Sequence, residues 1–178
     1  MTGDARLTLL ASYNQWMNQR LYDAAATLPH DALMADRGAF FGSILGTLNH
    51  LVVTDTIWLK RFAAAPDASS VLRGLDSTPM PAALDAIPYA TLPALHARRT
   101  WLDALMVEWV ATLAPATLSS RLVYANMKGE TFARRIDGLV THLFNHQTHH
   151  RGQVTTLLSQ AGVEVGVTDL VTLVPNEG

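Results

Sequence analysis

The stretch Thr141-His-Leu-Phe-Asn-His-Gln-Thr-His-His-Arg-Gly-Gln153 decides how this chain is read. It lies in a run of helical period from Ile136 to about Gly162, where glycine supplies a C-terminal stop. On a wheel of about 100° per residue with His146 at zero, Leu139, Leu143, Val154, Leu157 and Ala161 fall between about +20° and +80°. His150 falls at about +40°, inside that apolar stripe, and His146 sits at its edge. His142, at about −40°, and His149, at about −60°, lie beyond it. Two histidines one turn apart are therefore expected to point into a helical core.

Three further helices supply that core. The first spans about Ala5 to Leu28, with Leu9, Tyr13, Trp16, Met17, Tyr22 and Ala24 at helical spacing, and Pro29 closes it. A loop through Gly38 and Gly42 leads to Ser43, a suitable N-cap for a second helix to about Ala65. Its apolar face carries Leu51, Ile57, Trp58 and Phe62. Residues 66–93 hold five prolines and read as a stiffened crossover, with a short helical turn expected near Ala82–Ala86. A third helix fits Ala94 to Leu113. From Arg121 to Arg135 the period changes to two short strand-like runs about a turn at Met127-Lys-Gly129, which predicts a hairpin. The tail should add one short helix from Thr168-Asp169. The fold class is all-α: a four-helix bundle with a long crossover and a short hairpin before the last helix, in a single domain over residues 1–178.

Composition agrees and excludes several function classes. The chain has 49% apolar and 16% charged residues, which describes a core-rich globular domain. A formal charge of −2 argues against an electrostatic nucleic-acid binder. Zero cysteines rule out disulfides, thiolate metal sites and a cysteine nucleophile. The N-terminus shows no signal-peptide pattern and no stretch reads as a transmembrane helix, so no membrane partner and a cytoplasmic location are expected.

The inward histidines carry the chemistry. Imidazoles at i and i+4 share a face and can direct ring nitrogens to one ion. A third ligand should come from a facing helix, and the second helix offers His50 at the edge of its apolar face. His50, His146 and His150 would hold one divalent metal ion (Ni, Zn, Fe or Mn) and leave positions open, as catalytic sites do. The bland alternative is hydrogen-bonded core histidines; His142 is a rival ligand, with the same spacing to His146. The residue after His146 is Gln147, so the His-Glu-x-x-His protease signature and its general base are absent. No catalytic side chain is assigned. Asn14, Asn18, Asn49, Asp55 and Gln147 are candidates to orient the ligands. Tyr13, Trp16 and Trp58 are candidates to line a pocket. Arg151 is read as pairing with a surface carboxylate or, less favoured, with an anionic substrate.

Three motifs resemble the DinB (damage-inducible) family: Asn145-His-Gln-Thr-His-His-Arg-Gly-Gln-Val154 its last helix, Leu48-Asn-His-Leu-Val-Val-Thr-Asp-Thr-Ile-Trp-Leu59 its second, and Tyr13-Asn-Gln-Trp-Met-Asn-Gln-Arg-Leu21 its first. They occur in the family's order and span most of the chain. The resemblance implies a four-helix bundle with a mononuclear divalent metal held by His50, His146 and His150, and commonly a homodimer. The family is unrelated to the DNA polymerase that shares the name. Its wider superfamily includes thiol S-transferases acting with bacillithiol and a mycothiol-dependent maleylpyruvate isomerase. The resemblance thus implies a small-molecule substrate together with a low-molecular-weight thiol; with no cysteine in the chain, any sulfur nucleophile would have to arrive with that cosubstrate. The alternatives are a metal-activated water that hydrolyses amides or esters, and a non-catalytic metal-binding stress-response protein.

Overall fold

The computed structural model describes residues 4–177, so Met1, Thr2, Gly3 and Gly178 of the expected 1–178 domain lie outside the described residues. Four long helices form the body: α1 (Ala5–Ala25), α3 (Ile44–Ala63), α4 (Leu92–Ala111) and α6 (Ile136–Gln160). Two short helices, α2 (His30–Met34) and α5 (Pro115–Ser119), occupy connections expected to be irregular. Strands β1 (Arg121–Ala125) and β2 (Thr131–Arg135) form the predicted hairpin, in register from Arg121 opposite Arg135 to Ala125 opposite Thr131.

Local chemistry sets the helix ends. The Asp4 carboxylate accepts from the amides of Arg6 and Leu7, at 2.9 and 3.3 Å, and starts α1. Ser43 Oγ accepts from Gly46 N–H at 3.0 Å and starts α3, as its sequence position predicted. α4 begins two residues earlier than expected, because Pro93 occupies its first turn, where its missing N–H is not needed. α6 ends in a Schellman motif: Gly162, at φ 80°, donates to Ser159 O and Val163 donates to Leu158 O, both at 2.9 Å. The tail has a short 3-10 turn, Leu170–Leu173, directly after Asp169.

Side-chain contacts give the helix directions. Asn14 meets Asp103 and Tyr22 meets His96, so α1 and α4 run antiparallel. Asp55 meets Gln147 and Trp58 meets His142, so α3 and α6 are antiparallel. Asn49 reaches Tyr89, Asp55 meets Arg99 and Phe62 meets Trp109, so α3 and α4 are parallel. A parallel successor requires the chain to return the length of a helix, about 30 Å for 20 residues. That return explains the long crossover. It is pinned by the buried side chains of Leu72 and Leu75 in a 3-10 turn, Ser70–Leu75, and by Lys60 Nζ, which donates to Leu75 O at 3.0 Å and Thr78 O at 2.6 Å. The helical turn expected at Ala82–Ala86 is reduced to one hydrogen bond, Ala86 N–H to Ala83 O, at 3.4 Å.

The core is a layer of leucines from all four long helices, among them Leu21, Leu45, Leu48, Leu102, Leu143 and Leu158, closed at one end by Trp109. Among the described residues, no helix is long and apolar enough to cross a membrane.

Candidate metal centre

α6 presents His146 and His150, and antiparallel α3 presents His50 beside them. One ring nitrogen from each lies within 4.8 Å of the others. His50 Nε2 and His146 Nε2 are 3.2 Å apart, and the ring centroids of His146 and His150 are separated by 4.3 Å. His50 and His150 are nearly buried, at 4% and 8% exposure, and His146 is half-buried.

Hydrogen bonds on the far ring nitrogens select the tautomers. His50 Nδ1 lies 2.8 Å from the Leu84 carbonyl, which can only accept, so Nδ1 carries the proton and Nε2 keeps its lone pair. His150 Nδ1 lies 2.7 Å from Gln153 Oε1, with the same consequence. His146 Nδ1 has no hydrogen-bond partner among the described residues. Burial pushes the His50 imidazole down to about 4, with the neighbouring His150 adding to the effect. Burial and then His150 and His50 push His146 down to about 3, and burial also lowers His150. All three are neutral near pH 7, as metal ligands must be. Two nitrogens each about 2.1 Å from one tetrahedral ion lie about 3.4 Å apart, close to the His50–His146 spacing. The donor set fits a divalent cation.

Phe41 covers the cluster. It stacks on His50 with centroids 3.7 Å apart and meets His150 edge-on at 5.6 Å. Gly46 makes that approach feasible: a Cβ there would lie 2.2 Å from the Phe41 carbonyl oxygen. On the other side a cleft of about 350 Å³ reaches His50 and His146 between Trp58, Leu84, His142 and the hairpin turn at Asn126–Lys128. The turn is closed by Asn126 Oδ1, which accepts from Lys128 and Glu130 N–H at 2.9 and 3.0 Å.

The remaining candidates divide sharply. Trp58 lines the cleft. Tyr13 does not: its hydroxyl donates to Thr168 O at 2.6 Å, on the α1 side of the bundle. Trp16 lines a separate cleft beside Arg99 and Asp103. His142, the rival ligand, is exposed, stands edge-on to Trp58 at 5.2 Å, and falls outside the three-nitrogen group. His149 is exposed and contacts His150 edge-on. None of Asn14, Asn18, Asn49, Asp55 or Gln147 bonds a ligand histidine. Asn49 instead clamps the crossover, donating to Tyr89 O at 3.0 Å and accepting from Tyr89 N–H at 3.1 Å.

The other four join a buried network with Arg99, Asp103 and Arg151. Arg99 bonds Asp55 at 2.5 Å and lies 2.9 Å from Asp103 Oδ1. Asn14 and Asn18 donate to Asp103, each at 2.9 Å, and the Gln147 amide donates to Asp55. Arg151 donates to Asn14 Oδ1 and lies 5.2 Å from the Tyr13 ring. It therefore pairs neither with a surface carboxylate nor with substrate: its position about 100° round α6 from His150 aims it at α1. Burial pushes the Asp103 carboxyl up to about 6 and also raises Asp55, while Arg99 opposes both shifts.

Sequence reasoning missed Leu84, Gln153 and Phe41. Gln153 had a readable signal, three residues after His150 on the same face. The Leu84 carbonyl and Phe41 reach the site only through tertiary folding of the loops that carry them.

Fold and site together define a class: an all-α bundle whose facing helices converge three neutral imidazoles beside a cleft. The DinB family profile matches residues 1–176, and the chain belongs to the DinB family. It is 25% identical over 162 residues to protein DinB of Bacillus subtilis strain 168, covering 90% of this chain and 88% of that one. Its fold is similar to the crystal structure of a DinB-like protein from Bacillus cereus ATCC 10987, with a TM-score of 0.62 and 19% identity over 94% of this chain and 99% of that one.

Proposed function

We propose that this protein binds one divalent metal ion through His50, His146 and His150, and that the centre serves a thiol-dependent S-transfer reaction. The observation that carries the reading is the convergence of three neutral ring nitrogens within 4.8 Å of one another, two of them from rings, His50 and His146, that line a cleft. When bound, the cation would supply Lewis acidity, favouring the thiolate of a low-molecular-weight thiol over the thiol. The chain's own residues do the rest. Leu84 O and Gln153 hold two rings in the ligating tautomer. Phe41 covers the cluster opposite the cleft. His142, whose pKa is lowered by partial desolvation and then by Arg134 and Arg61, stands on the cleft wall.

Hydrolysis has less support. Gln147 occupies the position where the protease signature places its base, and its amide is committed to Asp55 inside the core.

Two measurements test the proposal. Untagged protein should carry close to one metal per chain by elemental analysis, and His150→Ala should carry almost none. Equal stoichiometry in both would refute the ligand set. Turnover of a model electrophile by the metal-loaded protein should require added thiol; turnover indifferent to thiol ends the transferase reading.

A further inference from the structure

The cleft that reaches His50 and His146 is cationic at its other end. His50, Thr54, Ile57, Trp58 and Arg61 line it as one stripe of α3. At 1.5 Å rise per residue, the Arg61 backbone lies about 16 Å along the helix axis from that of His50. The hairpin turn adds Lys128. An adjoining cleft of about 590 Å³, which shares Trp58 and His142, adds Arg134.

These charges have no acidic partners. Among the described residues, no Asp or Glu lines the first cleft. The second has Asp137, which is bound by Arg135 at 2.6 Å. Arg61, Lys128 and Arg134 form no ion pair among the described residues. Aromatic rings hold Arg61 instead: its guanidinium carbon lies 4.6 Å from the Trp58 ring centroid and 5.0 Å from that of Tyr124. Stacking engages the face of a guanidinium and leaves its N–H edge for an acceptor. In a chain of formal charge −2, two unpaired cations on one cleft and a third on the cleft adjoining it concentrate positive potential there. Arg61 also lies in the last turn of α3, where the helix dipole is negative. That end disfavours a dianion, so a singly charged carboxylate suits the site better than a phosphate.

We propose that the cleft takes an extended, carboxylate-bearing small molecule, its carboxylate held by Arg61 with Lys128, with Arg134 adding positive potential from the adjoining cleft, and its other end directed at the histidine cluster. The inference rests on the proposed function only for what happens at that other end.

The test compares isosteric probes, phenylacetate and phenylacetamide, by ligand-observed NMR titration of the full chain as purified and after chelation. Wild type should bind phenylacetate at least about five-fold more tightly, the gain of one charge-assisted contact. Arg61→Gln should bring the ratio near one. Lys128→Gln, on an exposed turn, should lower the ratio about two-fold and serves if Arg61→Gln fails to fold. Four results would overturn the proposal: no preference in wild type, including no binding of either probe; a preference that survives both variants; a preference lost on chelation, which would put the carboxylate on the metal; or tighter binding of phenyl phosphate than of phenylacetate. Metal content of the same sample scores the proposed function separately. A metal-free protein with an Arg61-dependent preference would keep this inference and lose that one.

Discussion

α6 carries two polar pairs side by side, half-buried His146 with buried His150 and the buried Gln147 with Arg151, and they are built for opposite ends. On the helical wheel the first pair lies at the edge of the apolar stripe and within it, at about 0° and +40°, and the second lies beyond its other edge, at about +100° and +140°. The Gln147–Arg151 edge joins a network in which two carboxylates, Asp55 and Asp103, face two guanidiniums, Arg99 and Arg151. Its charges balance and it is sealed from solvent. The histidine edge holds neutral rings whose nitrogens converge beside a cleft. One cluster sets two carboxylates against two guanidiniums, and the other gathers three neutral imidazoles that could hold a cation. Burial alone does not distinguish a structural polar site from a functional one; here the difference lies in charge balance and in access from a cleft.

The largest effect should come from breaking the sealed network. Arg99→Met leaves Asp55 and Asp103 buried without their shared cation. Removing one member of a buried pair costs about 3–5 kcal/mol. Urea unfolding of the metal-free protein should show that loss. A loss under about 1 kcal/mol would mean that water reaches the network and the contrast with the histidine site is overdrawn.

His146→Ala should do the reverse. Metal-free stability should stay within about 1 kcal/mol of wild type, because the half-buried ring has no hydrogen bond on Nδ1 and loses a single contact, to His50, on Nε2. The stabilisation that wild type gains from metal, about 2.7 kcal/mol at a free concentration of 100 times Kd, should vanish. Thermal melts with and without added metal measure both. A variant that still gains the full increment would remove His146 from the ligand set.

Much of this contrast was legible in the sequence, and the part that was not has a physical cause. Apolar period, the Ser43 cap, the Gly162 stop and the hairpin turn are local signals, so four helices and the hairpin could be read. His146 and His150 could be placed because one helix wheel holds both. The network could not. Asn14, Asn18, Asp55 and Arg151 read as surface or ligand-orienting residues, since a lone polar side chain carries no sign of the partner that lets it be buried. Arg99 and Asp103 went unremarked for the same reason. Nor could the parallel pairing of α3 and α4 be read, although the length of the crossover was its only trace.

A smaller effect separates the two regions by pH. The free-chain histidine titrates near 6.5, whereas His50 and His146 are held to about 4 and about 3 when folded. Below pH 6.5 the unfolded chain therefore binds protons that the folded protein refuses, and metal-free stability falls as pH drops through that window. Above 6.5 both states are neutral there and the contribution is flat. Asp103, raised to about 6, acts with the opposite sign. The difference between wild type and His146→Ala cancels it, so the variant should lose less stability between pH 7.5 and 4.5. Parallel pH curves would show that burial does not restrain His146.

The smallest predicted effect tests how firmly the histidine edge is prepared for its ion. His50 receives its tautomer from a backbone carbonyl, which no side-chain substitution removes. His150 receives it from Gln153 Oε1, which can be removed. Gln153→Met keeps length and helix propensity but supplies no strong acceptor. The His150 ring is then free to turn and to exchange tautomers, and part of the ordering must be met on binding. Loss of such an outer partner lowers metal affinity about 10-fold to 100-fold; the lower figure applies here because the His50 bond persists. Competition with a chromophoric chelator reads this directly, and Gln153→Glu, which restores an acceptor with a charge, should recover the affinity. If Gln153→Met binds as tightly as wild type, packing by Phe41 and His149 is sufficient to orient His150. The two edges of α6 would then differ in charge balance alone and not in preorganisation.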